Sequence, residues 1–150
     1  MPDWEAWARR AEQALDVAGR GDWKGLFAPG ARFRDPNTPS TADLGSISRD
    51  TRDIFPDWTQ EITWIRGGDD WAVFEWIGRA TYAGDPGRGA PVEMHGATIV
   101  EVDGDGLVTS WRDYLDRKEP ESQIRAAVCG RGAGRASGAR PHVLRNPMPR

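Results

Sequence analysis

Cysteine and histidine are scarce in this 150-residue chain. Cys129 is its single cysteine, so an internal disulfide is excluded and a free thiol without a special role is expected. The two histidines, His95 and His142, lie far apart and give no metal-ligand spacing with that cysteine. No glycine-rich phosphate-binding motif follows a strand. We therefore expect neither a metal nor a cofactor.

Long apolar runs are also missing. No segment approaches the roughly 18 apolar residues that a membrane-spanning helix needs. The opening residues, MPDWEAW, lack the basic-then-apolar order of a signal peptide. A cytoplasmic protein with no membrane partner is the expectation.

Acidic residues are absent from the end of the chain. Six arginines and no acid stand from Arg125 onward, and because the whole chain carries −3, the preceding part carries −9. An acidic body argues against nucleic-acid binding by the fold itself, and an RNA-contacting Arg/Gly tail is the alternative. Residues 129–150 are rich in Gly, Arg and Pro without periodicity, which predicts a disordered tail. Residues 1–128 are then a single folded domain.

Apolar periodicity predicts helices first and strands afterwards. Helices are predicted after the capping residues Asp3 and Asp22, and at 43–55 and 119–128. Strands are predicted at 31–34, 57–66, 71–82, 91–102 and 107–116. This order is typical of an α+β fold. A curved sheet wrapped around N-terminal helices leaves a central pocket, and eight tryptophans supply apolar walls for it.

A misplaced carboxylate is the main functional clue. Asp103-Gly104 predicts a hairpin turn, and the strand after it carries its apolar residues on one face, which includes Leu107, Thr109, Trp111, Asp113 and Leu115. An aspartate among Trp and Leu side chains is costly unless it is paired or used. Asp113 is thus either a catalytic group or a structural carboxylate bonded to Arg79 or a backbone amide.

Three sequence landmarks follow one another along the chain. They are Gly21-Asp22-Trp23 before Leu26-Phe27-Ala28, then residues 31–36 (ARFRDP), then residues 105–108 (DGLV) running into 111–116 (WRDYLD). Their order and spacing resemble the nuclear transport factor 2-like superfamily, which includes SnoaL-like polyketide cyclases, ketosteroid isomerases and limonene epoxide hydrolases. The resemblance spans about residues 4 to 125. It implies a cone-shaped α+β barrel with a curved, mixed or antiparallel sheet around a central pocket.

The resemblance also implies roles for two carboxylates. Asp35, followed by proline, resembles the general base of ketosteroid isomerases, but the positions of that enzyme's oxyanion donors fall near Ala14 and Thr98, so both donors are missing. Asp113 resembles the water-activating aspartate of limonene epoxide hydrolases and an acid–base aspartate of SnoaL-like cyclases. The alternative for Asp35 is a turn aspartate that caps its own loop.

The third long strand gives two conflicting predictions. The resemblance places Glu75, Ile77 and Arg79 in the pocket, with Arg79 as an anion partner. The arginine and the second aspartate of the epoxide hydrolase Asp-Arg-Asp relay fall near Ile77 and Arg79, so that relay is broken in this chain. Alternation favours the more apolar set with Phe74 and Trp76 instead. We follow the resemblance, in which Phe74 and Trp76 form a homodimer interface on the back of the sheet. His95 shares a face with Glu93 and Glu101 and is predicted to be exposed or interfacial.

The leading hypothesis is a cofactor-independent acid–base enzyme that acts on a small hydrophobic, polyketide- or terpenoid-like substrate by cyclisation, isomerisation or dehydration through an enolate. The alternatives are a non-catalytic small-molecule-binding protein and an epoxide hydrolase or epoxide-opening cyclase in which Asp113 activates water or a hydroxyl. Asp113, Asp35 and Arg79 are the candidate catalytic residues. The candidate substrate-binding residues are Phe33, Trp58, Glu75, Ile77, Met94, Thr98, Trp111 and Leu115.

Overall fold

The structure, a computed structural model, describes residues 1–17, 19–36, 49, 51–83 and 89–136. Within these residues, five strands and two helices have defined bounds, and residues 51–54 are helical as well. The helices are α1 (Trp4–Leu15) and α2 (Lys118–Ala136), and a 3₁₀ turn (Trp23–Gly25) lies between α1 and the sheet. The strands are β1 (Phe27–Arg34), β2 (Thr59–Gly67), β3 (Trp71–Tyr82), β4 (Ala90–Val102) and β5 (Val108–Leu115). All five predicted strands are confirmed, with β1 starting four residues early.

The strands form one mixed sheet in the order β1-β5-β4-β3-β2. Strand β1 pairs in parallel with β5, and the other neighbours are antiparallel. The predicted α+β class with a mixed sheet is therefore confirmed, and the sheet is open, because no ladder joins β1 to β2 in the described strands. No helix in the described part of the chain is long and apolar enough to cross a membrane.

Helix α1 closes one end of the sheet. Its start is fixed by Asp3, whose side chain accepts a hydrogen bond of 2.9 Å from the amide of Ala6. Its apolar stripe is buried as predicted: Trp4, Trp7, Ala8, Ala11 and Leu15. The indoles of Trp4 and Trp7 donate to the carbonyl oxygens of Gly68 and Gly106, which lie in the β2–β3 and β4–β5 turns. The helix is thereby tied to both hairpin ends.

A bulge in β5 changes which residues face the core. The β4–β5 register shifts between Glu101 and Val102, so that Thr109 has no partner opposite it. Val108 is consequently fully buried, whereas the predicted core residues Leu107 and Thr109 are only partly buried. Beyond the bulge Trp111 and Asp113 lie on the inner face, as alternation predicted.

Strand β3 corrects the placement of three predicted pocket residues. Ala72, Phe74 and Trp76 are buried at 0 %, 0 % and 3 % exposure, so alternation was right and the placement by resemblance was wrong. Glu75 and Arg79 are exposed and Ile77 is half-buried on the opposite, outer face. The apolar set wins because Phe74 and Trp76 together bury far more hydrophobic area than Ile77 alone.

The outer face of the sheet carries charge where the dimer prediction required aromatic residues. Arg79 lies between Glu61 and Glu93, each 2.9 Å from a guanidinium nitrogen. His95 is exposed, as predicted, and contacts Glu119. Phe74 and Trp76 are unavailable for a homodimer interface because they are core residues. Homodimerisation stays a prediction without that support.

The C-terminal helix is longer than expected. Helix α2 runs to Ala136, so the first eight residues of the predicted disordered tail are helical, and residues 137–150 lie outside the described residues. Alanine and arginine, both good helix formers, recur through this segment. Most of the predicted 43–55 helix lies outside the described residues as well, although residues 51–54 are helical.

Candidate functional site

A pocket of about 450 Å³ lies between the inner face of the sheet and the helices, a volume typical of sites for small organic ligands. Aromatic side chains supply most of its wall: Trp23, Phe27, Phe33, Phe55, Trp58, Trp76 and Trp111. Helix α2 closes one side with Pro120, Glu121 and Ile124. Two aspartates, Asp35 and Asp113, also line this largely apolar space, which with Glu121 makes three carboxylates among the described lining residues.

Two glycines on the sheet make room for the tryptophan walls. A Cβ atom on Gly78 would lie 2.2 Å from the Trp58 ring, and one on Gly96 would lie 2.3 Å from the Trp76 ring. Both distances are too short for any side chain, so these indoles lie flat against bare backbone. The rings of Trp58 and Trp76 then meet edge to face, with centroids 6.1 Å apart. The pocket therefore depends on glycine at 78 and 96.

The indole of Trp111 is held by three other rings. Its centroid lies 5.4 Å from Phe74, 5.7 Å from Phe27 and 6.5 Å from Phe33, which stacks on it. Trp111 is only 2 % exposed. Because packing fixes the ring, the direction of its N–H group is fixed too, and that group points at Asp113.

Asp113 is bound through a single oxygen. Its Oδ1 accepts a 2.7 Å hydrogen bond from Trp111 Nε1 and a 2.5 Å hydrogen bond from Thr98 Oγ1. The Thr98 hydroxyl in turn accepts 2.8 Å from Trp76 Nε1. Within the described residues no hydrogen bond is assigned to Oδ2 of Asp113. The two oxygens of Asp113 are therefore unequally bonded.

Burial raises the pKa of Asp113 to about 7. Removal from water disfavours the charged carboxylate and is the largest cause. The hydrogen bonds from Thr98 and Trp111 act in the opposite direction, and the negative charge of Asp35 raises the pKa further. Asp113 can therefore be protonated or ionised near neutral pH.

The structure brings together seven of the predicted site residues and separates four. Asp113, Asp35, Phe33, Trp58, Met94, Trp111 and Leu115 line the pocket. Thr98 is fully buried behind it and reaches the pocket only through Asp113. Glu75, Ile77 and Arg79 are on the outer face, so Arg79 neither neutralises Asp113 nor binds an anion in the pocket. The cation among the described lining residues is Arg117 instead.

Sequence reasoning missed several lining residues. Trp23 and Gln60 line the pocket, although Trp23 was noted only as part of a landmark. The helix at 119–128 was predicted, but its contribution to the pocket wall was not, because its lining residues, Pro120, Glu121 and Ile124, form no apolar stripe. Gln60 lies opposite Gly78 in the β2–β3 ladder, and alternation along β2 would have placed it on the inner face with Trp58.

A protein-family model described as a SnoaL-like domain matches residues 5–111. No match was found among curated proteins.

Several solved structures share the fold at low sequence identity. IdmH from Streptomyces antibioticus, described as a candidate polyketide cyclase, is 20 % identical with a TM-score of 0.66, over 83 % of this chain and 99 % of that one. An LEH-like epoxide hydrolase from M. tuberculosis is 15 % identical with a TM-score of 0.65, over 89 % and 99 %. AclR from Streptomyces galilaeus, described as a candidate hydroxylase, is 19 % identical with a TM-score of 0.59, over 89 % and 99 %. Their different descriptions on one fold mean that the reaction must be argued from the site.

Proposed function

Because the chain belongs to the SnoaL-like domain family, we propose that it is a cofactor-independent acid–base enzyme that acts on a small hydrophobic, polyketide-like molecule. The reaction is a ring closure, isomerisation or dehydration through an enol or enolate. Asp113 is the general acid–base residue. The observation that carries the proposal is an aspartate with one oxygen held by Trp111 and Thr98, at the wall of an aromatic pocket.

The hydrogen bonds of Asp113 determine which oxygen exchanges a proton. An indole N–H group only donates hydrogen bonds, so a proton on Oδ1 that pointed at Trp111 would place two hydrogen atoms against each other. The proton of the neutral acid is therefore on Oδ2, and the ionised acid presents its free lone pairs there. Because the pKa of Asp113 is about 7, its protonated and ionised forms are both populated at neutral pH, so the carboxyl group can both accept and return a proton.

Asp35 is the second carboxylate of the proposed site. It lines the same pocket, and its charge raises the pKa of Asp113, so the two groups interact. Unequal settings for two carboxylates favour separate roles. We assign proton transfer to Asp113, which is held by two donors, and substrate anchoring to Asp35 at the end of β1.

Epoxide hydrolysis is less well supported by the geometry. The relay of limonene epoxide hydrolases needs an arginine and a second aspartate beside the water-activating carboxylate. The corresponding positions, Ile77 and Arg79, lie on the outer face, and Arg79 is bound to Glu61 and Glu93 there. Asp113 has no such relay among the described residues.

Replacement of Asp113 by Asn tests the proposal. The purified protein is incubated with a panel of aromatic poly-β-carbonyl compounds, and loss of each compound is followed by chromatography and mass spectrometry. The Asp113→Asn variant should lose about 10²–10⁴-fold in rate while its near-UV circular dichroism stays native. Asp69→Asn, at an exposed carboxylate in the β2–β3 turn, is the matched control and should remain active. An active Asp113→Asn variant refutes the assignment, and binding without turnover by the wild type favours a non-catalytic binding protein.

A further inference from the structure

Two hydrogen-bond donors on pocket-lining residues are closed to solvent and have no partner in the described part of the chain. Trp23 Nε1 and Gln60 Nε2 are buried, and neither makes a hydrogen bond within the described part of the chain. Both residues line the pocket that contains Asp113. A buried donor without an acceptor is uncommon, because its lost hydration is not replaced. Two of them on residues that line one pocket are a place where a ligand can supply the acceptor.

The surroundings of Trp23 hold its donor in place before any ligand binds. The side chain is 8 % exposed, and its ring stacks on Phe27 with centroids 6.5 Å apart. Phe27 packs in turn on Trp111, the ring that donates to Asp113. The Trp23 N–H therefore belongs to the same continuous aromatic wall as the proton-transfer group. Gln60 reaches the pocket from a different element, β2, where it is paired with Gly78 of β3.

We propose that Trp23 Nε1 and Gln60 Nε2 bind oxygen acceptors of the ligand, carbonyl or ether oxygens carried on an apolar ring system. This inference rests on the proposed function for the choice of pocket, and it specifies the substrate class: an oxygenated ring compound and not a terpenoid hydrocarbon. A hydrocarbon leaves both donors unsatisfied and gains only apolar burial. A ketone satisfies a donor that the folded protein has already removed from water, so binding gains a hydrogen bond without a new desolvation cost on the protein side.

The test compares two probes of nearly the same shape, 1-tetralone and its oxygen-free counterpart tetralin. Binding to the full chain is measured by isothermal titration calorimetry for the wild type, Trp23→Phe and Gln60→Met. Wild type should bind 1-tetralone more tightly than tetralin. Trp23→Phe, which removes the N–H and keeps an aromatic ring, should weaken 1-tetralone binding by about tenfold and change tetralin binding little. Gln60→Met should act in the same direction.

Two further readouts separate this role from simple packing. The ligand-free melting temperature of Trp23→Phe should not fall as it would if a native hydrogen bond were lost, because the removed donor has no partner in the described structure. Trp64→Phe, at an indole 42 % exposed on β2, is the matched control and should alter neither probe. Equal losses for both probes, or a wild type without preference for the ketone, overturn the proposal. The binding assay needs no turnover, so an active Asp113→Asn variant would refute the enzyme assignment while leaving this result intact.

Discussion

Thr98 and Asp113 are direct cross-strand partners on β4 and β5, and the Thr98 hydroxyl lies 2.5 Å from Oδ1 of the carboxylate. Thr98 is fully buried, and its oxygen is oriented by the indole N–H of Trp76. The hydroxyl proton is thereby directed at Asp113. Since Trp111 donates to the same oxygen, two indoles and one hydroxyl together orient Asp113 through its Oδ1.

Thr98→Val should raise the pKa of Asp113 above its value of about 7. The substitution removes a hydrogen bond that favours the ionised carboxylate, and hydrogen bonds to charged groups of this kind correspond to about one to two pH units. The measurement is a ¹³C NMR titration of the Asp113 carboxyl carbon, with the pH–rate profile beside it if turnover is found. A base-dependent rate would shift its rising limb to higher pH by the same amount.

Thr98→Ser is the control for that shift. Serine keeps the hydroxyl and loses one methyl group, so the pKa of Asp113 should stay near 7 although the protein is destabilised. A titration that moves equally in Thr98→Val and Thr98→Ser would mean that packing, and not the hydroxyl, sets the acidity. An unchanged titration in Thr98→Val would remove Thr98 as a positioning residue.

The stability of the protein should decrease as pH rises from about 4 to 7 through the contribution of Asp113. The folded state binds this proton more tightly than the unfolded chain, because the folded pKa is about 7 against an ordinary value of 3.8. The stabilisation is complete below the unfolded pKa and is lost as pH passes the folded pKa. Its upper bound is about 4 kcal/mol, since water in the pocket would screen part of the burial effect.

Urea unfolding of wild type and Asp113→Asn at a series of pH values isolates this term. Asparagine cannot ionise, and the other titrating groups are shared by both proteins. The free energy of unfolding of wild type minus that of the variant should fall between pH 4 and 7 and be level above pH 8. A difference that is flat with pH, or one that rises, contradicts a raised pKa for Asp113.

The element order and the catalytic candidate could be predicted from the sequence because both depend on local signals. Asp3 and Asp22 cap helical turns as expected, and the hairpin between β4 and β5 forms at the predicted Asp-Gly turn. Asp113 was identifiable because the alternation of the sequence already places this carboxylate among the apolar residues of one strand face. The bulge at Thr109 was not, since an unpaired residue depends on the register of the neighbouring strand.

Strand β3 shows where a local pattern outweighs a family resemblance. Alternation placed Phe74 and Trp76 inside, and the structure agrees, whereas alignment with epoxide hydrolases placed Arg79 inside and was wrong. The unpaired donors of Trp23 and Gln60 are a different case. Whether a polar atom has a partner depends on every neighbour in space, so no sequence pattern could have indicated them.

Arg79→Gln should leave turnover and ligand binding unchanged. The side chain is half exposed on the outer face and is bound to Glu61 and Glu93, on the far side of the sheet from Asp113. Surface pairs of this kind contribute little to stability. Rates and melting temperatures of Arg79→Gln and wild type are compared in parallel. A loss of activity approaching that of Asp113→Asn would mean that Arg79 acts on the pocket after all.

Helix α2 should loosen from the sheet when Gln123 is replaced by Leu. Strand β5 pairs with β4 only from Gly96 onward, which leaves the backbone of Glu93 and His95 without a strand on that side. The Gln123 amide bonds both the N–H and the carbonyl of Glu93, at 2.8 and 2.6 Å, and Glu119 accepts from the N–H of His95 at 2.9 Å.

These contacts hold the helix that forms a wall of the pocket with the neighbouring residues Pro120 and Ile124. Gln123→Leu keeps the size of the side chain and removes two hydrogen bonds, so the Glu93 amide should exchange with deuterium about tenfold faster. Binding of 1-tetralone should weaken as the wall opens. Arg125→Gln, at an exposed position of the same helix, should change neither measurement. Unaltered exchange at the Glu93 amide in Gln123→Leu would contradict this prediction and would show that α2 is held to the sheet by other contacts, such as those of Pro120 and Ile124.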